Sequence, residues 1–312
     1  MRRAFLRLID TVPTILVVLT LVFISLRILP GDPALAVLGD MADARQLENF
    51  RVRHGLNDPL WKQYFDFLRG VATLDFGRSM ITNTPVSDMI RLNLPYTIEL
   101  TAAAMLLGTV IGIPLGVLAA SYRNQAPDSM VRGLSLFGYA IPDFYMGAVL
   151  LIVFSLHFGW FPISGGGSDL VSRLHHLVLP AITLTFVKSA FISRLTRASL
   201  LDVMRKDYIR TARAKGAGPG RVIFRHGLRN ALLPLSTGIG LSLLATLSGS
   251  VAIELVFNRP GVGKMLITGI IERDYAVVQA GIVIFALCVI AVNLVMDLLY
   301  VVIDPRTKGE SQ

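Results

Sequence analysis

Few side chains in this 312-residue chain could do chemistry, and most of those lie inside apolar runs. Asp143 follows Pro142 in one run, Lys188 sits in the next, and Glu99, Glu254 and Asp297 sit in others. A charge at the centre of a membrane helix costs about 2.5–3.5 kcal/mol on insertion scales, so each such residue invites a functional reading. Glu99 and Glu254 fall near the outer ends of their runs and Asp297 near an inner end beside Tyr300, where interfacial hydration or a local hydrogen bond also accounts for them. Lys188 is close enough to Arg194 to snorkel to the interface. Asp143 fits an interface less well and is read as lining a polar cavity.

Catalytic groups are harder to assemble. His175 and His176 are neighbours, which diverge on a helix, and no carboxylate or cysteine stands at zinc spacing from them; they read as an interfacial pair. Pro260-Gly261-Val262-Gly263-Lys264-Met265 looks like the tail of a phosphate loop but lacks the glycine five residues before Gly263 and the Ser/Thr after Lys264. Cys288 is the single cysteine, which excludes an intramolecular disulfide or a cysteine metal cluster. No catalytic residue and no metal ligand set is therefore assigned.

The elements that carry these residues are membrane spans. Hydrophobic residues make up 53% of the chain and charged residues 16%, with a mean hydropathy of +0.62, beyond the range of ordinary soluble domains. A bilayer core of about 30 Å takes roughly 20 helical residues, and six stretches qualify: Thr11–Leu29, Ile98–Ser121, Val131–Phe158, Leu177–Ser193, Ala231–Phe257 and Ala276–Ile303. The net charge of +9 could suggest nucleic acid. With both termini inside, however, the pieces 1–10, 122–132, 194–230 and 304–312 hold 17 Lys/Arg against 6 Asp/Glu, and the outer pieces hold 11 against 11. Basic residues concentrated inside are the signature of topology. No nucleic-acid motif accompanies them.

Residues 1–29 read as an inner N-terminus and an uncleaved signal anchor, because Leu29-Pro30-Gly31-Asp32-Pro33 offers no small-x-small cleavage site. Residues 30–97 form the only sizeable segment off the membrane, and about 67 residues is small for a core of its own. Helical periodicity is expected over Ala42–Arg53 and Pro59–Leu68. In the second of these Leu60, Trp61, Tyr64, Phe65 and Leu68 make an apolar stripe, either packed on the outer ends of the spans or offered to a soluble partner. Residues 98–303 hold the remaining spans and 304–312 an inner tail.

Two spans carry glycine patterns. Gly108, Gly112 and Gly116 recur at every fourth position, a spacing that lets helix backbones approach closely in lipid, and Pro114 argues for a kink or local adjustment. Ser248-Gly249-Ser250 either loosens the fifth span or permits close packing.

The inner segment 194–230 holds ten basic residues from Arg194 to Arg229. Leu195–Ala214 is readable as helix, with Leu200, Val203 and Met204 on one face and Tyr208 and Ala212 continuing it, and Gly216, Gly218, Pro219 and Gly220 stop it. Such a helix fits a groove on a soluble partner or an anionic lipid surface. Spacing and charge leave both open.

Asp207-Tyr208-Ile209-Arg210-Thr211-Ala212-Arg213-Ala214-Lys215-Gly216, followed by His226-Gly227-Leu228-Arg229-Asn230-Ala231 and Pro234, resembles the coupling loop of binding-protein-dependent ABC importer permeases of the dipeptide/oligopeptide/nickel branch. Further matching pieces run in family order: Leu29–Pro33, His54–Leu60, Asp75-Phe76-Gly77-Arg78-Ser79, Leu177–Pro180, Glu254–Gly263, Arg273-Asp274-Tyr275, and Asp297–Tyr300 with Asp304-Pro305-Arg306. The resemblance implies an all-α integral membrane protein of the type I ABC importer permease kind, with six transmembrane helices. A periplasmic segment lies between the first two, and a cytoplasmic coupling helix lies between the fourth and fifth.

It implies a non-catalytic permease subunit in a bacterial inner membrane, both termini cytoplasmic, working with a second homologous permease, two ABC ATPase subunits and a periplasmic or extracellular substrate-binding protein. ATP and Mg belong to the ATPase subunits and no cofactor to this chain. Carried over residue by residue, ATPase coupling falls on Tyr208, Arg210, Thr211, Ala212, Lys215, Gly216 and Ala217, binding-protein docking on Asp75, Gly77 and Arg78, and the translocation path on Asp143 and Glu254. The general importer pattern begins Glu-Ala-Ala where this chain reads Arg210-Thr211-Ala212, which leaves open the residue that makes the glutamate's salt bridge. The expected cargo is peptides or similar small solutes. The competing reading is a stand-alone ion-coupled secondary transporter, which needs ionisable groups at mid-membrane and usually an internal repeat; no clear repeat is present.

Overall fold

Long apolar runs in lipid must satisfy their backbone groups internally, which leaves the helix as the simplest solution, and the computed structural model is helical almost throughout. It describes residues 2–28, 32–39 and 42–303, the side chains of 2–11, 14, 26, 33, 36 and 297–303 excepted. In chain order the helices are α1 (Arg2–Ile28), α2 (Pro33–Leu38), α3 (Ala44–Arg53), α4 (Leu60–Thr73), α5 (Val86–Ser121), α6 (Ala126–Ala140), α7 (Asp143–Leu150), α8 (Leu170–Val203), α9 (Asp207–Ala214), α10 (Pro219–Arg221), α11 (Arg229–Val256), α12 (Val262–Glu272) and α13 (Tyr275–Ile303). α7 continues as a π-helix over Leu151–His157, and a second π-helix, Val222–Leu228, joins α10 to α11. Leu29 to Gly31, the charge of Asp10, the Asp297 and Tyr300 side chains, and Asp304-Pro305-Arg306 in the tail all fall outside the described residues or side chains.

Among the described residues most of each expected span falls on helix. Among the described residues four helices are long and apolar enough to cross a membrane, five if α6 with α7 counts as one, and Ile15–Ser25 of α1 is a shorter apolar stretch. Two expectations need correction. The third stretch, Val131–Phe158, is not one rod: it bends by 96° between α6 and α7. Ile141 there is extended (φ −99°, ψ 125°), because the residue before a proline is driven out of the helical region and Pro142 has no N–H to give. The fourth stretch, which looked short at Leu177–Ser193, is part of the 34-residue α8, the most protein-buried of the spans. Thr183, Thr185, Ser189, Ser193 and Thr196 face protein there and dilute the hydropathy that sequence reading relies on. α5 runs unbroken through Pro114.

The chain divides into two compact units, residues 1–97 with 260–290, and residues 98–259 with 291–312. In the second unit α8 packs against α6, α7 and α11, and Leu100, Ala104, Leu179, Leu184, Ile253 and Phe257 form its core. The glycine stripe of α5 lies on α8. A Cβ on Gly108 would come within 2.9 Å of Lys188 Cβ, one on Gly112 within 2.8 Å of Ile192 Cβ, and one on Gly116 within 2.5 Å of the Ser193 carbonyl oxygen. The every-fourth-residue glycines thus serve a close helix contact. Gly116→Ala should destabilise the purified protein by about 1–3 kcal/mol, since backbone cannot move aside. Gly133→Ala, where a Cβ meets nothing within 4 Å, should leave the unfolding midpoint unchanged or raised.

In the first unit Val86, Ile90, Val262, Met265, Val277 and Ala280 form the core. Asp43 opens α3 through a capping box with Gln46, which satisfies two of the free N-terminal donors. Asp32 caps α2 and pairs with Arg51 of α3 at 2.5 Å. Partial burial works against the Asp32 charge, but the Arg51 hydrogen bond and the Ala34 N–H outweigh it and hold the carboxyl below its ordinary range. α4 packs on α1: Tyr64 Oη and Thr20 Oγ1 are 2.7 Å apart, and the Phe23 ring sits 5.2 Å from Tyr64 and 5.9 Å from Phe67. Of the expected apolar stripe only part is covered, since Leu60, Trp61 and Phe65 stay exposed.

Candidate functional site

Sequence reading ran one helix from Leu195 to Ala214; the structure breaks it. α8 ends at Val203 and Lys206 is extended (φ −73°, ψ 149°) ahead of α9. The buried anchor of α9 is Ile209, a residue absent from the expected face, while Tyr208 is half exposed. Asp207 and Arg210, exposed by 94% and 82%, pair at 3.6 Å on the open side. In water such a pair contributes little, so this face is open to a partner.

The C-terminus of α9 is closed by two bonds: the Gly216 N–H donates to the Arg213 carbonyl at 2.9 Å and the Ala217 N–H to the Ala212 carbonyl at 3.1 Å. That pair is a Schellman cap, which needs a left-handed residue at the turn, and Gly216 supplies it at φ +82°. Thr211 Oγ1 bonds back to the Asp207 carbonyl at 3.2 Å. Thr211 and Lys215 therefore belong to the helix and its cap. Pro219 then starts α10 at a position where its missing N–H costs nothing. Arg213 and Ala217 line a cavity of about 520 Å³ with Leu200, Met204, Val222 and Ile223.

Within the spans the structure joins two residues that sequence reading kept apart. Asp143, at the first position of α7, faces Lys188 of α8, Oδ2 to Nζ at 4.0 Å. Lys188 is buried there and does not snorkel toward Arg194. Its aliphatic stem lies over Gly108, and Gly249 leaves room for the carboxylate, because a Cβ on it would stand 3.6 Å from Asp143 Oδ2. Ser248-Gly249-Ser250 does not interrupt α11; Ser250 is buried and Ser248 exposed. The 96° bend is thus where an ion pair between α7 and α8 is set against α5 and α11.

The two outer-end glutamates are not hydrated free groups. Glu254 is fully buried on α11, and its carbonyl accepts the Arg259 N–H at 2.9 Å. Glu99 pairs with Arg173 and, at 3.2 Å, with the fully buried Arg259. His175 Nε2 meets the Trp160 carbonyl at 3.0 Å and His176 Nδ1 the Ser172 carbonyl at 2.7 Å, so each ring is used separately. Among the described residues no group of three or more His, Cys, Asp or Glu could hold a metal.

The three expected docking residues share an exposed loop of the first unit. Asp75 Oδ1 accepts the Gly77 N–H at 3.1 Å, and Gly77 is left-handed at φ +73°. Arg78 donates to the Asn83 carbonyl at 2.7 Å and bridges to Pro85. Ser79, next in sequence, is buried and donates to Asp274 Oδ2 at 2.5 Å, tying this loop to Arg273-Asp274-Tyr275. Asn93 and Thr97 likewise accept the Gly261 and Val262 N–H groups at 3.1 and 2.9 Å. The phosphate-loop look-alike is therefore a helix start pinned by side chains.

Residues 1–101 match the family described as binding-protein-dependent transport system membrane component, N-terminal, and residues 112–309 the family described as binding-protein-dependent transport system inner membrane component. The glutathione transport system permease protein GsiC of Escherichia coli (strain K12) is 40% identical over 302 residues, covering 97% of each chain. The protein of that name from Shigella dysenteriae serotype 1 (strain Sd197) is equally similar. Among solved structures the MetNI methionine ABC transporter in inward-facing conformations matches with a TM-score of 0.56 at 21% identity, covering 68% of this chain and 94% of that one. An amino acid ABC transporter with histidines matches at 0.54 and 13% identity, covering 67% and 91%. These last two show the fold alone. Neither the family nor the relatives support a stand-alone ion-coupled transporter, and the chain belongs to the binding-protein-dependent transport system inner membrane component family, as a permease subunit of an ABC importer.

Proposed function

We propose that this permease subunit takes a peptide-like solute, of the class to which glutathione belongs, from a periplasmic or extracellular substrate-binding protein across a bacterial inner membrane. It does so beside a second, homologous permease subunit, with ATP and Mg acting in two separate ABC ATPase subunits. The chain itself does no bond-breaking chemistry. Both its termini and the 194–230 loop lie on the cytoplasmic side, as the excess of basic residues there supports, and the spans face membrane lipid or their partner.

The observation that carries the reading is α9, a short helix held by the one buried residue Ile209 while Tyr208 and Arg210 remain open. A lever needs that combination of a fixed inner face and a free outer one. Thr211, Ala212, Lys215, Gly216 and Ala217 set its direction through the helix and its cap. Asp143 belongs to the translocation path through its pair with Lys188, and Glu254 through its burial on α11. The exposed Asp75, Gly77 and Arg78 loop is the docking face. The test is purification from the native membrane followed by reconstitution in liposomes. Two ATPase subunits and a second permease should co-purify, and peptide uptake should stop with vanadate. Uptake by the chain alone under a proton gradient would sink the reading.

A further inference from the structure

α4 presents three faces. One packs on α1: Tyr64 meets Thr20, the Phe23 ring packs on Tyr64 and Phe67, and Arg27 Nη2 donates to Gln63 Oε1 at 2.9 Å. A second carries Lys62, Asp66 and Arg69, all exposed, with Lys62 paired to Asp58 at 3.0 Å. The third is apolar. Trp61, Phe65 and Leu68 stand at i, i+4 and i+7, one side of a helix, and Trp61 and Phe65 are 66% and 63% exposed.

Where α4 meets α1 decides what covers that third face. Thr20 lies more than two turns before Ile28, the end of α1, about 12 Å along the axis at 1.5 Å per residue. With Phe23 it falls inside the apolar stretch Ile15–Ser25, so a helix packed on it sits at the edge of the hydrocarbon or within it. Trp, Phe and Leu on one side with Lys and Arg on another is the pattern of a helix lying in the interface plane, its apolar side about 5–10 Å into the acyl boundary. The amphipathic indole of a tryptophan belongs at that level. A soluble partner fits less well. Between docking events it would leave Trp61, Phe65 and Leu68 facing water in one row, and transient interfaces as a whole are no more apolar than other protein surface.

We propose that α4 is an interfacial helix whose Trp61, Phe65 and Leu68 face is seated among phospholipid acyl chains. The leaflet is the one at the C-terminal end of α1, the outer leaflet in the orientation given above. The loop of Asp75, Gly77 and Arg78, which follows α4, then starts from the membrane surface. This goes beyond the transport reading and needs from it only the bilayer around α1. Spin labels on single cysteines test it, in a Cys288→Ala chain that removes the native cysteine. The chain is measured within the assembled transporter, its other subunits cysteine-free, in phospholipid nanodiscs. Electron paramagnetic resonance compares collisions with molecular oxygen, which concentrates in hydrocarbon, and with a water-soluble nickel chelate. The oxygen-to-nickel ratio should be at least about fivefold higher at Trp61→Cys and Phe65→Cys than at Lys62→Cys and Arg69→Cys. Either of the first two reads the face if the other fails to assemble. Nickel collisions as frequent at the apolar positions as at the charged ones would put the face in water and overturn the proposal. Labels there that are immobilised and shielded from both reagents would mean that a protein subunit covers the face. Nickel collisions lost only on adding the substrate-binding protein would make it a docking face, and either result overturns the proposal as well. None of these outcomes touches ATP-driven uptake, so the importer reading stands or falls separately.

Discussion

Asp128→Ala should cost the folded permease about 3–5 kcal/mol, the range for removing one partner of a buried ion pair. Asp128 is fully buried at the start of α6 and takes three donors: Arg197 Nε at 2.6 Å, Arg197 Nη2 at 2.8 Å and the Asn124 N–H at 2.9 Å. The two arginine bonds reach from α8 and fix how α6 meets it, a forked geometry that a lysine could not reproduce. Without the carboxylate, the mostly buried Arg197 keeps its charge and loses its counter-ion. Arg132 approaches the same carboxylate at 3.4 Å but is more than half exposed, so Arg132→Ala should cost under about 0.5 kcal/mol. Unfolding of the purified protein by denaturant in nanodiscs measures both. Asp128→Leu combined with Arg197→Met should cost less than either single change, since no charge is stranded. A loss under about 1 kcal/mol for Asp128→Ala would remove this pair as the link between α6 and α8.

The spans were readable because lipid leaves a long apolar helix few alternatives, and the glycine stripe because its period of four matches a helix face. What failed to show in sequence was contact across distance. Asp128 looked like one more charge in an inner loop, and nothing local to it points to Arg197. Lys188 looked able to snorkel because it lies near Arg194 at the inner end of its run, whereas its partner Asp143 lies 45 residues earlier and is brought up by the bend before Pro142. A proline breaks helices, but the continuous hydropathy of Val131–Phe158 hid the break at Pro142, since hydropathy is blind to direction.

The 194–230 segment shows the same division. Gly216, Gly218 and Pro219 marked the end of the helix correctly, because turn chemistry is local. Its start was lost because Lys206 makes no side-chain cap, and α9 packs on the Val222–Leu228 π-helix, which lies well beyond it in sequence. The family's motif order supplied what spacing could not, a reason to propose a partner for the open face.

Gly216→Val should reduce ATP-driven uptake more than about tenfold while the protein still inserts and its ATPase subunits still turn over. A Cβ at Gly216 would meet nothing within 4 Å, so no clash disturbs the surrounding helices and the effect is confined to the backbone. At φ +82° a β-branched residue is a genuine outlier. The Schellman bonds from Gly216 and Ala217 would have to give way. α9 then loses its fixed exit while Ile209 still holds its middle, and Tyr208 and Arg210 no longer point in one direction. A lever with a loose joint passes on less of the ATPase stroke, which predicts hydrolysis without matching transport. Gly218→Ala is the control: Gly218 has φ −64° and open space around it, so alanine fits and coupled uptake should stay within about twofold. Parallel measurement of uptake and phosphate release in proteoliposomes separates the two variants. Full coupling in Gly216→Val would mean that the cap does not set the lever, and the force would have to enter the spans elsewhere than α9.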